Sequence, residues 1–472
     1  MAKIHGVLDV GRRGMLLSQT AMQTTSHNIT NRTTEGYSVQ RVEQTTNPTI
    51  GEGNFRMGTG AKLASITRMN NPWIEKQLEK ENSSFNQLEQ KVAGLTRLES
   101  VVNEQSVKGL SDTIGNFFNA FREIANNPES AVSRTQVREA AVNLVAGFQT
   151  ARKQISDVTA DMNKSIEYNI GEVNALAKEL SGLNQKIQDI EIGGHNIAND
   201  ERDQRDLLLK KLSEKIDIHY AEDKSTGMIN VTAGSNAILV AGTTFNQLKT
   251  AETSDGKVNI YNELSKGGTL VDISDQIKSG KVGAAFEIRD GTTAQLLNNL
   301  EDLAYNIATE VNKAHIEGYD QYGSTGFSFF DTKDKTQPFS INNFQLSDRI
   351  IENVSRIAVA SKPNAPGDNT VANVIHNLQS RTFMEDGKYT FDDFYNSKVS
   401  EIGILTQRAN SSFDSQRNTL DQLKNIRESL SGVNMDEEAA KMIEYQKSFE
   451  ASARLIKTAD EMMDTVLNLK RM

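Results

Sequence analysis

The sequence predicts a mainly α, elongated, multi-domain protein with a β-rich insert, in which helices from the two chain ends pair as a terminal coiled coil. Three observations predict it. Residues 435–469 place apolar side chains at Met435, Ala439, Met442, Phe449, Ala453, Ile456, Met463 and Leu467, in steps of three and four broken only at Gln446 and Asp460. Residues 1–30 carry a second stripe at Ile4, Leu8, Met15, Met22 and Ile29, with Gly11, Ser18 and Thr25 at the steps between. Residues 218–288 change period: MINVTAG, AILVAG, KVNIYNE and GTLVDIS alternate in twos and are bounded by Gly, Ser, Asp and Asn, as β-hairpins are.

A chain of 472 residues is too long for one core. The changes of period divide it into an N-terminal half of the terminal pair with a following extended region (1–66), a first helical part (67–217), the β-rich insert (218–288), a second helical part (289–404) and the C-terminal half of the pair (405–472). The net charge of −10 comes from 62 acidic against 52 basic side chains, and no Lys or Arg run offers a footprint for nucleic acid or a lipid surface. Cysteine is absent, which removes disulfides and thiol chemistry. No apolar run approaches a membrane span, and Arg12 and Arg13 split the first apolar clusters, so export would have to proceed without a cleaved signal peptide.

Taken in order, the first helix is weak by itself, because Gly6, Gly11 and Gly14 each cost about 1 kcal/mol of helix propensity against alanine. It should order only when packed, and its small residues let another backbone come close. Residues 26–41 are polar and rich in turn formers. Residues 41–68 alternate β-branched and polar side chains between glycines and read as short strands; Gly58-Thr59-Gly60 is no phosphate loop, since no Lys-Ser/Thr follows. Asn71 followed by Pro72 starts a helix to about 105, with Ile74, Leu78, Phe85, Leu88, Val92, Leu95 and Leu98 on its apolar face. Helices are expected over Leu110–Asn126, 130–150, 151–192 and 291–317, a short one within 361–379, and a long one over 391–430. Asn434 caps the last helix with Glu437 three residues on, Asp436 and Glu438 suit its first turn, and Lys470 and Arg471 suit its last.

Enzyme chemistry finds no foothold, so no catalytic, cofactor-binding or metal residue is assigned. His5, His27, His195, His219, His315 and His376 show no metal-ligand spacing, and no G-x-S-x-G elbow exists. Asp200, Glu201, Asp203 and Asp206 are interleaved with Arg202 and Arg205, which predicts a solvated, self-paired helix face.

Two terminal runs then point to a family. Ser26, Asn28, Ile29, Asn31, Thr34, Gly36 and Tyr37 resemble the N-terminal signature of the bacterial flagellar axial proteins, with departures at Thr30, Glu35 and Val39. SGVNMDEEAA at 431–440 and YQKSFEASARLIKTADEMMDTVLNL at 445–469 resemble their C-terminal signature. Between them, GLSDTIGNFFNAFREIANNP (109–128), NDERDQRDLLLKKLSEKIDI (199–218), GYDQYGSTGFSFFD (318–331) and SKPNAPGDNTVANVIHNLQ (361–379) resemble the hook-associated protein 1, or FlgK, family. The short connection over 332–345 resembles a trimmed member without an extra outer domain.

The resemblance implies a structural, non-enzymatic subunit of the junction layer between flagellar hook and filament, exported by the flagellar type III apparatus. Expected partners are copies of itself in a ring or helical layer, hook protein, the second junction protein (hook-associated protein 3), and an export chaperone for the C-terminal helix, with no nucleic acid and no membrane. Its assembly interface would comprise Ile4, Leu8, Met15, Met22, Asn28, Ile29, Asn31, Thr34, Gly36 and Tyr37 from one end and Met442, Phe449, Ala453, Ile456, Met463 and Leu467 from the other. Three alternatives stand beside it. Another axial protein, hook protein or hook-associated protein 3, shares the termini but not 109–128 and 199–218. An intracellular coiled-coil scaffold explains the stripes but not 26–37. An extracellular enzyme on an axial stem would need a catalytic insert, for which 218–288 is the candidate.

Overall fold

The computed structural model describes residues 2–52, 55–102, 109–194, 196–263, 268–331 and 339–469. Helix α1 (Ala2–Thr30) leads into a β ribbon in which β1 (Gln40–Thr46) pairs antiparallel with β4 (Ala61–Arg68), while β2 (Ile50–Glu52) and β3 (Phe55–Met57) form its outer hairpin. The signature segment 31–39 is thus the hinge between a helix and a ribbon. Asn71 caps α2 (Pro72–Val102), its Oδ1 accepting from the Trp73 amide at 3.1 Å. The expected residues up to 105 lie partly outside the described residues.

Helix α3 (Leu110–Asn126) and helix α4 (Ala131–Glu191) form the body's long axis. The sequence predicted two helices over 130–192; the structure has one unbroken helix of 61 residues. No Gly or Pro interrupts 148–155, and Phe148, Ile155 and Val158 keep one buried stripe running through the expected break. The helix is about 90 Å long at 1.5 Å per residue. It packs against α2, α3, α5 (Asn199–Lys215) and the helices that follow the insert, so one element crosses the whole body.

The insert forms two small antiparallel sheets. One has the order β5-β6-β7-β8 (Ile218–Glu222, Ile229–Ala233, Ala237–Ala241, Thr244–Phe245), the other β11-β10-β9 (Leu270–Asp272, Val258–Glu263, Leu248–Glu252). Strand structure ends at Asp272, and helix begins again at Gly280 rather than at the expected 291: α6 (Gly280–Phe286), a π-helical stretch (Glu287–Thr293) and α7 (Ala294–Glu317) run on without a break. Gly280 has φ +70° and a Cβ there would lie 2.6 Å from the Lys215 backbone, so this start is a tight glycine turn against the end of α5. Strands β12 (Phe330–Asp331) and β13 (Gln345–Leu346) and the short helices α8 (Asp348–Glu352) and α9 (Thr370–Asn377) close the far end, before α10 (Phe391–Ser431) and α11 (Met435–Leu469) bring the chain back. Lys470 and Arg471, expected to finish α11, lie outside the described residues.

One apolar core runs from Leu95 to Ala409, densest where Phe117, Phe118, Phe121, Phe329 and Phe330 meet with ring centroids 4.9–5.9 Å apart. Each such ring contributes roughly 1.5–3 kcal/mol by burial alone. A separate small cluster, Ile74, Leu78 and Leu420, joins α2 to α10. In the main core, against Phe329, His315 is fully buried as the neutral imidazole: Nδ1 donates to the Phe327 carbonyl (2.8 Å), Nε2 accepts from the Ala358 amide (2.9 Å), and burial pulls its pKa down to about 4.

Candidate assembly interface

The two chain ends pair with each other. Asn28 meets Glu438, Ser18 bonds Ser448 (3.1 Å), Gly14 faces Ser452 and Gly11 faces Ile456, so the helices run antiparallel. Along α1 the covered positions are Gly11, Gly14, Ser18, Ala21, Thr25 and Asn28; along α11 they are Glu438, Met442, Tyr445, Phe449, Ser452, Ile456, Ala459 and Met463. Both sets keep steps of three and four, and the α1 set is made of small side chains. That lets the backbones approach closely: a Cβ on Gly11 would lie 2.7 Å from Ile456 Cγ1 and 3.3 Å from the Ser452 carbonyl.

The seam therefore differs from the one read off the large apolar residues. Ile4, Leu8, Met15, Met22 and Ile29 sit half-buried on its shoulder, while Met442, Phe449, Ala453, Ile456 and Met463 are half-buried along α11. Met435, Ala439 and Leu467 are exposed. Gln446 and Asp460, which broke the expected stripe, turn outward because Tyr445 and Ala459 take those steps. Ile443, Leu455, Met462 and Val466 are large apolar side chains of α11 that remain exposed.

The pair is fastened to the body by one polar knot. Asn28 is buried and every bonding site of its amide is used: Oδ1 accepts from the Tyr37 hydroxyl (2.7 Å) and the Gln40 amide (2.9 Å), while Nδ2 donates to the Gln40 carbonyl (2.9 Å) and Glu438 Oε2 (2.8 Å). Burial raises the Tyr37 phenol pKa, and Asp200, Asp203 and Glu438 raise it further, so the hydroxyl stays a donor. Lys441 Nζ reaches the other oxygen of the buried Glu438 at 2.9 Å. Asn31 and Thr34 brace the turn, Asn31 Nδ2 donating to the His27 carbonyl (3.0 Å) and Thr34 Oγ1 to Asn31 Oδ1 (3.1 Å). Gly36 has φ +82° with Leu207 pressed against it, a conformation and a space that call for glycine.

The acidic run of α5 receives this segment, so the expected solvated, self-paired face is corrected. Asp203, 5% exposed, accepts from the Ser38 amide (2.7 Å) and Arg68 (2.8 Å); Asp206 also takes Arg68 (2.7 Å); Asp200 takes the Gln40 side chain (2.6 Å). Burial works to discharge Arg68, but Asp206 and Asp203 outweigh it and hold the guanidinium charged. Arg202 turns to Glu191 (2.7 Å) and Glu222 (2.7 Å), and Arg205 donates to the Gly227 carbonyl (2.7 Å). From the other side Arg427 donates to the Gly36 and Tyr37 carbonyls (both 3.0 Å) and pairs with Glu75. Val39 takes part through its backbone, its amide bonding the Ser431 carbonyl at 2.9 Å. Sequence reasoning missed Gln40, Arg68, Arg427 and Glu438; the one available signal was Glu438 standing at a seam step.

Among the described residues no group of three or more His, Cys, Asp or Glu could hold a metal, and no helix is long and apolar enough to cross a membrane. A long helical body carrying both chain ends as one docked helix pair defines an elongated subunit organised around its termini. Residues 95–330 match the family model described as the flagellar hook-associated protein FlgK helical domain, and residues 428–469 match that of the flagellar basal body rod FlgEFG protein C-terminal. The chain belongs to the FlgK family of flagellar hook-associated proteins. It is 27% identical to flagellar hook-associated protein 1 of Bacillus subtilis over 98% of this chain and 97% of that one. It is 23% identical to the protein of that name in Escherichia coli, covering 97% and 98%, across an alignment of 540 positions that exceeds the 472 residues here. The fold is similar to the structure of the flagellar hook junction protein FlgK from Burkholderia pseudomallei, with TM-score 0.69 and 15% identity over 75% of this chain and all of the other.

Proposed function

We infer that the chain is a structural subunit of the bacterial flagellum at the junction between hook and filament, and that it assembles through its paired terminal helices. The observation that carries the reading is the helix pair itself. Its inner seam is filled within one chain where α1 covers it, yet Ile443, Leu455, Met462 and Val466 of α11 remain exposed. Covering these side chains contributes roughly 1.5–3 kcal/mol for each one fully buried, and a repeated contact multiplies that along an assembly. The sites of contact would be these four together with the shoulder residues Leu8, Met15, Met22 and Ile29 and the exposed Leu467. Copies of the same chain, hook protein and hook-associated protein 3 are the partners this reading requires, with a chaperone covering the exposed apolar side chains of α11 before export. No catalytic role is proposed.

The test is Leu455→Asp combined with Met462→Asp, which leaves the inner seam untouched. The purified variant should melt as the wild type does, and cells carrying it should show hooks without filaments by electron microscopy. Normal filaments in that strain would overturn the assigned role of this face.

A further inference from the structure

A cleft of about 450 Å³ opens where the signature turn, α2, α5 and α10 meet. Five carboxylates line it, and each is already engaged: Asp203 and Asp206 with Arg68, Glu75 and Glu428 with Arg427, and Glu35 with Lys211 at 3.7 Å. Three cations on the same walls have no ion pair among the described residues: Lys210 of α5, Lys424 of α10 and Arg32 of the turn. Lys210 is the informative one. Its side chain is half-buried, and it faces Lys424 and Arg427 as well as Glu75 and Glu214, the latter held by the Asn82 amide at 2.8 Å.

An ammonium withdrawn from water and set beside like charges, with no carboxylate bonded to it, costs free energy unless an anion completes the cluster. Loss of solvation first, then Lys424 and Arg427, pull the Lys210 pKa down, and Glu75 and Glu214 offset this only in part. We propose that the cleft bounded by Lys210, Lys424 and Arg32 is an oxyanion site, taking a carboxylate or phosphate group. Leu78, Leu207 and Val433 wall it with apolar surface, which strengthens a charge-assisted bond formed inside. The oxyanion has two sources: a free anion, or an acidic side chain of an adjoining copy.

The probe is inorganic phosphate, added to the full-length chain at pH 7 against sodium chloride of matched ionic strength. Phosphate should raise the melting temperature with a saturable dependence that chloride does not reproduce. Lys210→Gln should weaken that response by roughly tenfold or more, and Lys424→Gln, at an exposed position, should weaken it less. No phosphate-specific response in the wild type, or an undiminished one in both variants, overturns the proposal. This arm needs no assembly, so it fails independently of the junction reading. If the phosphate response is lost in Lys210→Gln and cells carrying that variant build normal filaments, the source is a free anion. If filaments are lost as well, the source is a carboxylate of the adjoining copy.

Discussion

At the scale of single residues, the chain ends are held by amides and charges more than by grease. Asn28 bonds four groups at once, and truncating it would leave the Gln40 backbone and Glu438 Oε2 buried without partners. Asn28→Ala should therefore cost about 2–4 kcal/mol, more than one hydrogen bond, because unmet burial penalties add to it. In a double-mutant cycle of Asn28→Ala with Glu438→Gln, the two losses should fail to add. A second residue gives a pH signature. Glu79, beside Tyr220, has its carboxyl pushed up by burial to about 7 from an ordinary 4.5. A group that holds its proton more tightly when folded stabilises the fold fully below the unfolded value and loses that contribution as pH rises through 7. Glu79→Gln should accordingly leave the unfolding free energy unchanged near pH 4 and raise it at pH 8, by an amount on the order of 2 kcal/mol after allowing for partial exposure, as denaturant titrations at the two pH values would read. His315 works in the opposite sense, since its pKa falls to about 4: the unfolded chain binds a proton first, and stability drops as pH falls below 6.5. A melting temperature of His315→Gln that is lower than wild type at pH 7 and converges with it as the pH approaches 4 checks this.

At the scale of elements, glycines in one helix serve different ends. Gly6 has no atom within 4 Å of a built Cβ, whereas the Cβ of Gly11 would strike Ile456 and the Ser452 backbone. Gly6→Ala should stabilise α1 by about 1 kcal/mol and Gly11→Ala should destabilise the pair, although alanine is the better helix former at both. Amide hydrogen exchange in α1 should slow in the first variant and quicken in the second. The same contrast shows what could be read from the sequence. Both terminal stripes were visible in the steps of three and four, because large apolar residues are counted easily. Gly11, Ser18 and Thr25 of the expected stripe lie on the seam of α1, but its other steps fall one position before Met15, Met22 and Ile29, at Gly14, Ala21 and Asn28, where small and polar residues carry no hydrophobic signal. Asp203 was legible as charge but not as a receiver of the Ser38 amide, since its partners are far off in sequence. The strands of the insert were legible from their alternation; the start of α6 was not, because Gly280 and the short run before the π-helical stretch look like a strand edge.

At the scale of the whole molecule, a body with one continuous core carries a helix pair attached by the polar knot. Deleting residues 2–30 should leave the near-ultraviolet dichroism and melting of the body largely intact while α11 loses its exchange protection and the variant associates at micromolar concentration. Loss of the body's own transition would mean that the pair and the body fold as one unit. The 61-residue span of α4 carries a consequence for how such a molecule can change over evolutionary time. Each residue added inside a helix turns everything beyond it by about 100°. A single insertion near the middle of α4 would aim half its buried face at water, while seven, close to two whole turns, would nearly restore the phase and lengthen the strut by about 10 Å. A change of length is therefore accommodated more readily in the connections than inside the strut.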